Sequence, residues 1–284
     1  MPDYLDFQVD FSDPDVVSSY DEVSLWSAMF GLMLLERVPL RRGMRVLDIG
    51  YGAGFPLLEL AQRLGNTGMV YGIDPWEAAR QRAEFKARMW QVTNIELVSG
   101  DASAMPFADA YFDLLVTNLG VNNFADPLAA LKECGRVAKP GARLALTSNL
   151  QGHMQEFYAV YEATLRQAGW EDCLCRLQDH VAHRATVEGL SDLFQRAGFR
   201  VVTMHEQSAA MRFLDGSALL RHAFIQRGFL DAWISVLGAA PREEKARVFT
   251  CLENNLNDYA EKHGELALTI PMVYIEAEKS GKEE

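Results

Sequence analysis

The chain has 284 residues, 49% of them hydrophobic, enough to bury a sizeable core. Its formal net charge of −12 opposes a nucleic-acid partner, because phosphate binding draws on clustered Lys and Arg to displace condensed counterions. No window approaches the ~18 consecutive apolar residues of a membrane span, and the acidic start MPDYLDFQVDFSDPD lacks the basic-then-apolar order of a signal peptide, so a cytoplasmic protein is expected.

In chain order, residues 1–43 hold a helix-like stretch, SYDEVSLWSAMFGLMLLERV, read as an amino-terminal helical cap. From Met44 to Ser148 short apolar runs alternate with helical patterns: MRVLDI then FPLLELAQRL, MVYGID then PWEAARQRAEFKARMW, IELVSGD, FDLLVTN then PLAALKECGRVA, and ARLALTS. Strand-helix-strand units of this kind build a parallel sheet whose strands, covered on both faces, read as continuous hydrophobics. Lys139-Pro140-Gly141 fits a type II turn with glycine where φ is positive.

Beyond the fifth strand, helices are expected at about 153–169 and 186–197, a long strand at 199–213, helical stretches at about 217–237 and 241–262, and a final strand in LALTIPMVYIEAEK. If the last two strands pair, 214–264 is a helical insertion between them. The expected organisation is therefore one globular domain: a cap (1–43), a ligand-binding core (44–150), and a segment 151–284 that completes the sheet and carries a substrate lid in its insertions (about 151–197 and 214–264). Apolar positions Leu219, Leu220, Phe224, Phe229, Leu230, Trp233 and Leu237 read as packing first, with a lid or a homodimer surface next.

The chemistry starts at VLDIGYGAG, residues 46–54. Gly50, Gly52 and Gly54 clear side chains from a strand-to-helix turn, where a ligand can approach bare backbone at the carboxyl ends of parallel strands. A dinucleotide site has G-x-G-x-x-G and sets pyrophosphate on a helix amino terminus. Here the spacing is G-x-G-x-G, and Asp48 would repel a diphosphate but welcome a cation such as S-adenosylmethionine, which carries an ammonium and a sulfonium.

Asp74, ending YGID, stands where an acidic side chain accepts ribose hydroxyls. The run Asp74-Pro75-Trp76-Glu77 is equally a helix start, and the two roles are compatible. In SGDASAMPF, Asp101 is placed to accept an adenine amino group and the Ala102 amide to donate to a ring nitrogen; the alternative for Asp101 is to satisfy the backbone of its own turn. Asn118 closes the fourth strand, where main-chain carbonyls can receive the ligand's ammonium.

Together these residues resemble the class I S-adenosylmethionine-dependent methyltransferases, in the small-molecule branch that includes the quinone-biosynthesis methyltransferases. The resemblance covers about 44–150 through VLDIGYGAG, YGIDP, GDASAMPF, FDLLVTNLG and RVAKPGARLALTS. It implies an α/β, Rossmann-like three-layer sandwich with a seven-stranded, mostly parallel sheet and an antiparallel last strand. It also implies S-adenosylmethionine as cofactor and S-adenosylhomocysteine as product. Tyr51 departs from it, since the family often has Cys between the first two glycines, and the Asp/Asn-Pro-Pro-aromatic motif of amino-group DNA methyltransferases does not follow Thr117-Asn118.

The expected reaction is in-line methyl transfer to a small, partly apolar organic acceptor, in which orienting the reactants supplies much of the rate. His153, just past the fifth strand, is the candidate base, and Asn122 an orienting residue at the end of the fourth. Tyr20 is placed to bond the methionine carboxylate, while Trp26 reads as an anchor for its helix. His180 and His183 lack a third ligand at suitable spacing, and the four cysteines lack a metal-binding pattern, so no metal is expected. The alternatives are other chemistry on the same cofactor, a cofactor-sensing protein, and a nicotinamide-dependent oxidoreductase.

Overall fold

The apolar runs that follow Met44 become strands of one seven-stranded sheet in the order β3-β2-β1-β4-β5-β7-β6. The structure, a computed structural model, describes residues 2–6, 9–22 and 25–280, and the side chains of Tyr20, Glu22 and Leu25 are outside that set. By contacts the chain divides into two units: a sheet unit of residues 10–149, 185–206 and 272–284, and a helical unit of residues 1–9, 150–184 and 207–271.

The sheet unit begins with α1 (Pro14–Glu22) and α2 (Leu25–Arg37) and continues through β1 (Arg45–Ile49), α3 (Leu57–Leu64), β2 (Met69–Asp74), α4 (Glu77–Met89), β3 (Ile95–Ser99), β4 (Phe112–Asn118), α5 (Pro127–Val137) and β5 (Ala138–Asn149). Strands β1 to β5 pair in parallel, and their central residues, among them Val46, Leu47, Val70, Ile73, Leu114, Leu115 and Leu146, are buried. Helices flank the sheet with their apolar sides inward. In α3, Leu57, Leu58, Leu60, Ala61 and Leu64 are all buried.

Gly141 has φ +73°, as the expected turn requires, and the β4–β5 register shifts between Phe112 and Leu114 opposite that turn. Helix α1 is tied to α4 by Asp21, whose carboxylate meets Lys86 Nζ at 2.8 Å and Arg82 Nε at 3.1 Å. Trp26 packs against buried Phe30 one turn along the same helix, with ring centroids 5.0 Å apart.

The helical unit holds α6 (Gln155–Gln167) and α7 (Leu174–Ala182). The chain then returns to the sheet unit for α8 (Val187–Arg196) and the first half of β6 (Phe199–Phe213), and re-enters the helical unit for α9 (Gly216–Arg221), α10 (Ala223–Gly228), α11 (Leu230–Ser235) and α12 (Arg242–His263). The last strand, β7 (Leu266–Lys279), runs antiparallel to β5 with Asn149 opposite Met272 and Arg143 opposite Glu278. The whole of 214–265 is thus inserted between two neighbouring strands. The expected 217–237 helix is three short ones, because His222 and Phe229 leave helical geometry. The seven apolar side chains singled out there are all buried, as packing residues.

One glycine inside β2 has a packing reason. A methyl group on Gly72 would lie 2.5 Å from Leu57 Cδ1 and 2.6 Å from Tyr51 Cδ1. Gly72→Ala is therefore expected to lower stability by about 1–3 kcal/mol through overpacking, read as a lower thermal midpoint.

Candidate functional site

Four neighbouring strands, β3, β2, β1 and β4, bring their carboxyl ends side by side, and the loops leaving them are hydrogen-bonded to one another. Gly50 N–H donates to Ile73 O at 2.9 Å, and Gly100 N–H donates to Asp74 O at 3.2 Å. The turn after β1 has φ +79°, +51° and +104° at Gly50, Gly52 and Gly54, a path that side-chain-bearing residues rarely follow. A methyl group on Gly50 would touch Gly120 Cα at 3.5 Å, so the β1 and β4 loops run close together. Leu119, just past β4, also has a left-handed backbone, φ +64°.

Beneath the turn lies Asp48, fully buried, with neither carboxylate oxygen in a hydrogen bond. The nearby Leu57 amide offsets its charge only in part. Burial, followed by the charge of Asp74, pushes its pKa up to about 8. A buried carboxyl without a partner is costly unless something polar meets it, and a bound cation is the partner best suited to it.

Asp74 occupies the end of β2, 8% exposed. Its Oδ2 accepts from Gly52 N–H at 2.8 Å and its Oδ1 from Trp76 N–H at 2.8 Å, so one carboxylate fixes both the glycine turn and the approach to α4. Burial raises its pKa, and the two amides act against that. Each oxygen retains a lone pair for a further donor such as a ribose hydroxyl. The ribose role of Asp74 is thus geometrically open, but Asp74 is not the expected N-cap: α4 is capped at Trp76 and starts at Glu77, with Pro75 exposed before it. The Trp76 indole N–H donates to Phe11 O at 2.7 Å, which draws the amino-terminal segment over this corner.

Asp101 turns its Oδ1 to Ser103, taking the backbone N–H and the hydroxyl at 2.6 Å each. These bonds hold its pKa below the usual carboxylate range and leave Oδ2 open to solvent; the neighbouring Ala102 is buried. Asn118 is committed at both ends, donating to Ser27 O at 3.0 Å and accepting from Thr147 Oγ1 at 2.7 Å. Its side chain therefore ties α2 and β5 to the end of β4, and only the backbone there is free to meet a ligand. Asn122 is likewise engaged, donating to Asn149 Oδ1 at 2.8 Å and accepting from Ser148 Oγ at 2.7 Å. The expected Tyr20 contact lies outside the described side chains.

His153 belongs to the helical unit. It is 1% exposed, its ring 5.5 Å from that of Phe229. Burial first, and then the charge of Arg184, push its pKa down to about 3, so the imidazole is neutral throughout the physiological range. The near-neutral titration expected of an exposed histidine does not apply here. Among the described residues no cluster of three metal-ligating side chains occurs.

Two features escaped the sequence reading. The Tyr51 ring fills the space over Gly72, and its hydroxyl is buried without a hydrogen-bond partner. Thr117 Oγ1, one residue before Asn118, is buried in the same state. The signal for the first was the glycine inside the apolar strand MVYGID, since a strand glycine marks a close approach.

The arrangement fits S-adenosylmethionine: an unpartnered carboxylate for a cationic ligand, bare backbone above it, and a second carboxylate one strand away. Comparison with known proteins agrees. A methyltransferase-domain family model matches residues 47–146. A demethylmenaquinone methyltransferase of Anoxybacillus flavithermus is 28% identical over 180 residues, 58% of this chain and 73% of that protein. One from Staphylococcus aureus is 32% identical over 145 residues, 51% of this chain and 58% of its own length. The matches thus leave a quarter or more of each relative's length unmatched. A solved structure of an S-adenosylmethionine-dependent methyltransferase from Aquifex aeolicus aligns over 68% of this chain and 91% of that one, with a TM-score of 0.53 and 25% identity. With the strand order, the glycine turn and the two carboxylates, these likenesses support an S-adenosylmethionine-dependent methyltransferase of class I type that resembles the quinone-biosynthesis enzymes.

Proposed function

We propose that the protein transfers the methyl group of S-adenosylmethionine to a small, partly apolar acceptor of the quinol type, leaving S-adenosylhomocysteine. The observation that carries the cofactor half is the buried, unpartnered Asp48 beneath three positive-φ glycines. The acceptor half is supported by the relatives named as acting on demethylmenaquinone.

When bound, S-adenosylmethionine supplies a methyl group activated by a sulfonium. Around it, Asp48 favours the positive charge, and Gly50, Gly52 and Gly54 let the ligand lie against backbone. Asp74 takes the ribose hydroxyls from Pro75's side of the turn, Asp101 and the Ala102 amide take the adenine edge, and the backbone at Asn118 receives the ammonium. Tyr20 is assigned the methionine carboxylate. Orientation rather than a strong base accounts for the rate, with ~7–11 kcal/mol available from well-aligned reactants.

Acceptor recognition is assigned to the helical unit, with His153 as base; Asn122, in the sheet unit, is a separate candidate orienting group. A base with a pKa of about 3 is weak and poorly matched to a quinol hydroxyl, so its contribution is small beside that of orientation. His153→Asn is expected to lower kcat by less than the ~10²-fold of a well-matched general base. Because the imidazole is already neutral above its depressed pKa, activity between pH 5 and 7 should show no inflection belonging to His153. An acid limb near 6.5 that vanishes in His153→Asn would refute this assignment.

The negative charge argues against a nucleic-acid partner, and among the described residues no helix is long and apolar enough to cross a membrane. A homodimer through the insertions would use faces other than the seven buried side chains, and sedimentation equilibrium tests it. The function itself is tested by incubating the chain with methyl-labelled S-adenosylmethionine and reduced demethylmenaquinone. Mass spectrometry should show the label in the quinol and S-adenosylhomocysteine in equal amount. Binding of the cofactor without transfer to any quinol or phenol would favour other chemistry on the same cofactor.

A further inference from the structure

The helical unit holds a polar cluster that the cofactor site does not use. Tyr158 Oη accepts from the Trp233 indole N–H at 3.2 Å and lies 3.1 Å from His180 Nε2. Arg184 donates from Nη1 to His183 Nε2 at 2.9 Å, which leaves His183 Nδ1 to donate to His180 O. The guanidinium also stands beside the Tyr158 hydroxyl, while its Nε is buried without a hydrogen-bond partner. Among the described residues Arg184 makes no ion pair, although most arginines of this acidic chain have one. Phe229, Trp233 and Phe157 form the apolar surround, with Trp233 stacked on Phe157 at 3.9 Å and facing Phe229 at 5.8 Å.

We propose that Arg184, with the Tyr158–His180 pair beside it, is a recognition site for an ionised hydroxyl on an apolar ring, a phenolate or enolate. Donation from Arg184 requires a neutral imidazole at His183, and burial, followed by Arg184, pushes the His180 pKa down to about 4. Arg184 is therefore the cation of the group, and no carboxylate of the cluster neutralises it. A guanidinium in that state favours an anionic oxygen, and charge-assisted hydrogen bonds are the strong ones. A neutral tyrosine donor and apolar rings around it select the oxygen of a ring hydroxyl over a hydrated inorganic anion. The proposal deepens the acceptor reading and rests on it for calling this ligand the methyl acceptor.

The test uses 4-nitrophenol, whose ionised form is followed by absorbance, and its methyl ether 4-nitroanisole, with the full chain. The phenolate should bind about tenfold more tightly than the neutral ether, a preference lost in Arg184→Gln and kept in Arg184→Lys. Tyr158→Phe should weaken the phenolate severalfold and leave the ether unchanged. Affinity for S-adenosylhomocysteine, measured on the same samples, reports the cofactor site separately and should be the same in all variants. No binding of the phenolate, equal binding of phenolate and ether, or a preference that survives Arg184→Gln would overturn the proposal, even where S-adenosylhomocysteine binds normally.

Discussion

Asp74→Ala is expected to bind S-adenosylhomocysteine at least ~100-fold more weakly than the parent chain, because two charge-assisted hydrogen bonds at roughly 1.5–3 kcal/mol each are removed. The loss has a second component. Asp74 also accepts from Gly52 N–H, so the alanine variant frees the glycine turn that the ligand lies against. Asp74→Asn separates the two effects, since its amide oxygen can keep one of the two backbone donors while the charge is gone; it should fall between the parent and Asp74→Ala. Calorimetric titration with S-adenosylhomocysteine at fixed pH is the appropriate measurement, and an unchanged dissociation constant in Asp74→Ala would remove the ribose role.

Asp48→Asn is expected to move stability and affinity in opposite directions. In the folded, ligand-free chain the Asp48 carboxyl titrates at about 8, far above an ordinary aspartate. A group whose folded pKa is raised contributes most at low pH, and its contribution is lost as pH rises from the unfolded value through the folded one. The parent should therefore lose stability between about pH 4 and pH 8 through this group, and Asp48→Asn should flatten that slope. At pH 8 the variant should be more stable by about 1–3 kcal/mol, less than the full linkage because the asparagine amide is itself buried without a partner. Affinity for S-adenosylmethionine should drop at least tenfold, while S-adenosylhomocysteine, which lacks the sulfonium charge, should lose less. Thermal melts across pH, with and without ligand, check both halves.

The core of the fold was legible because parallel strands covered on both faces leave continuous apolar runs: MRVLDI, MVYGID and FDLLVTN became β1, β2 and β4 at nearly their expected bounds. The hairpin of 199–213 with the last strand was legible for the same reason of length and pattern. The helical unit was harder to read. Helix α7 (Leu174–Ala182) was indicated only as a possible helix at His180 and His183, without bounds, because its sequence, LCRLQDHVA, carries one buried residue and no capping signal. Within the site, the glycines and carboxylates announced themselves through backbone geometry and charge, which are local. The commitments of Asn118 and Asn122 did not, since their partners Ser27, Thr147, Ser148 and Asn149 lie far along the chain. His153 is the clearest case: its position suggested a titrating base, and its burial against Phe229 makes it a neutral one.

The central claim is that a cationic nucleoside neutralises the buried Asp48 at the mouths of β1 and β2. Calorimetry of S-adenosylmethionine binding at pH 7, in two buffers of different ionisation heat, tests it most directly. Binding should release about one proton in the parent chain and none in Asp48→Asn, since a carboxyl with a pKa of about 8 must ionise to receive the cation. Binding without proton release in the parent, or tight binding of NADH with none of S-adenosylmethionine, would contradict it.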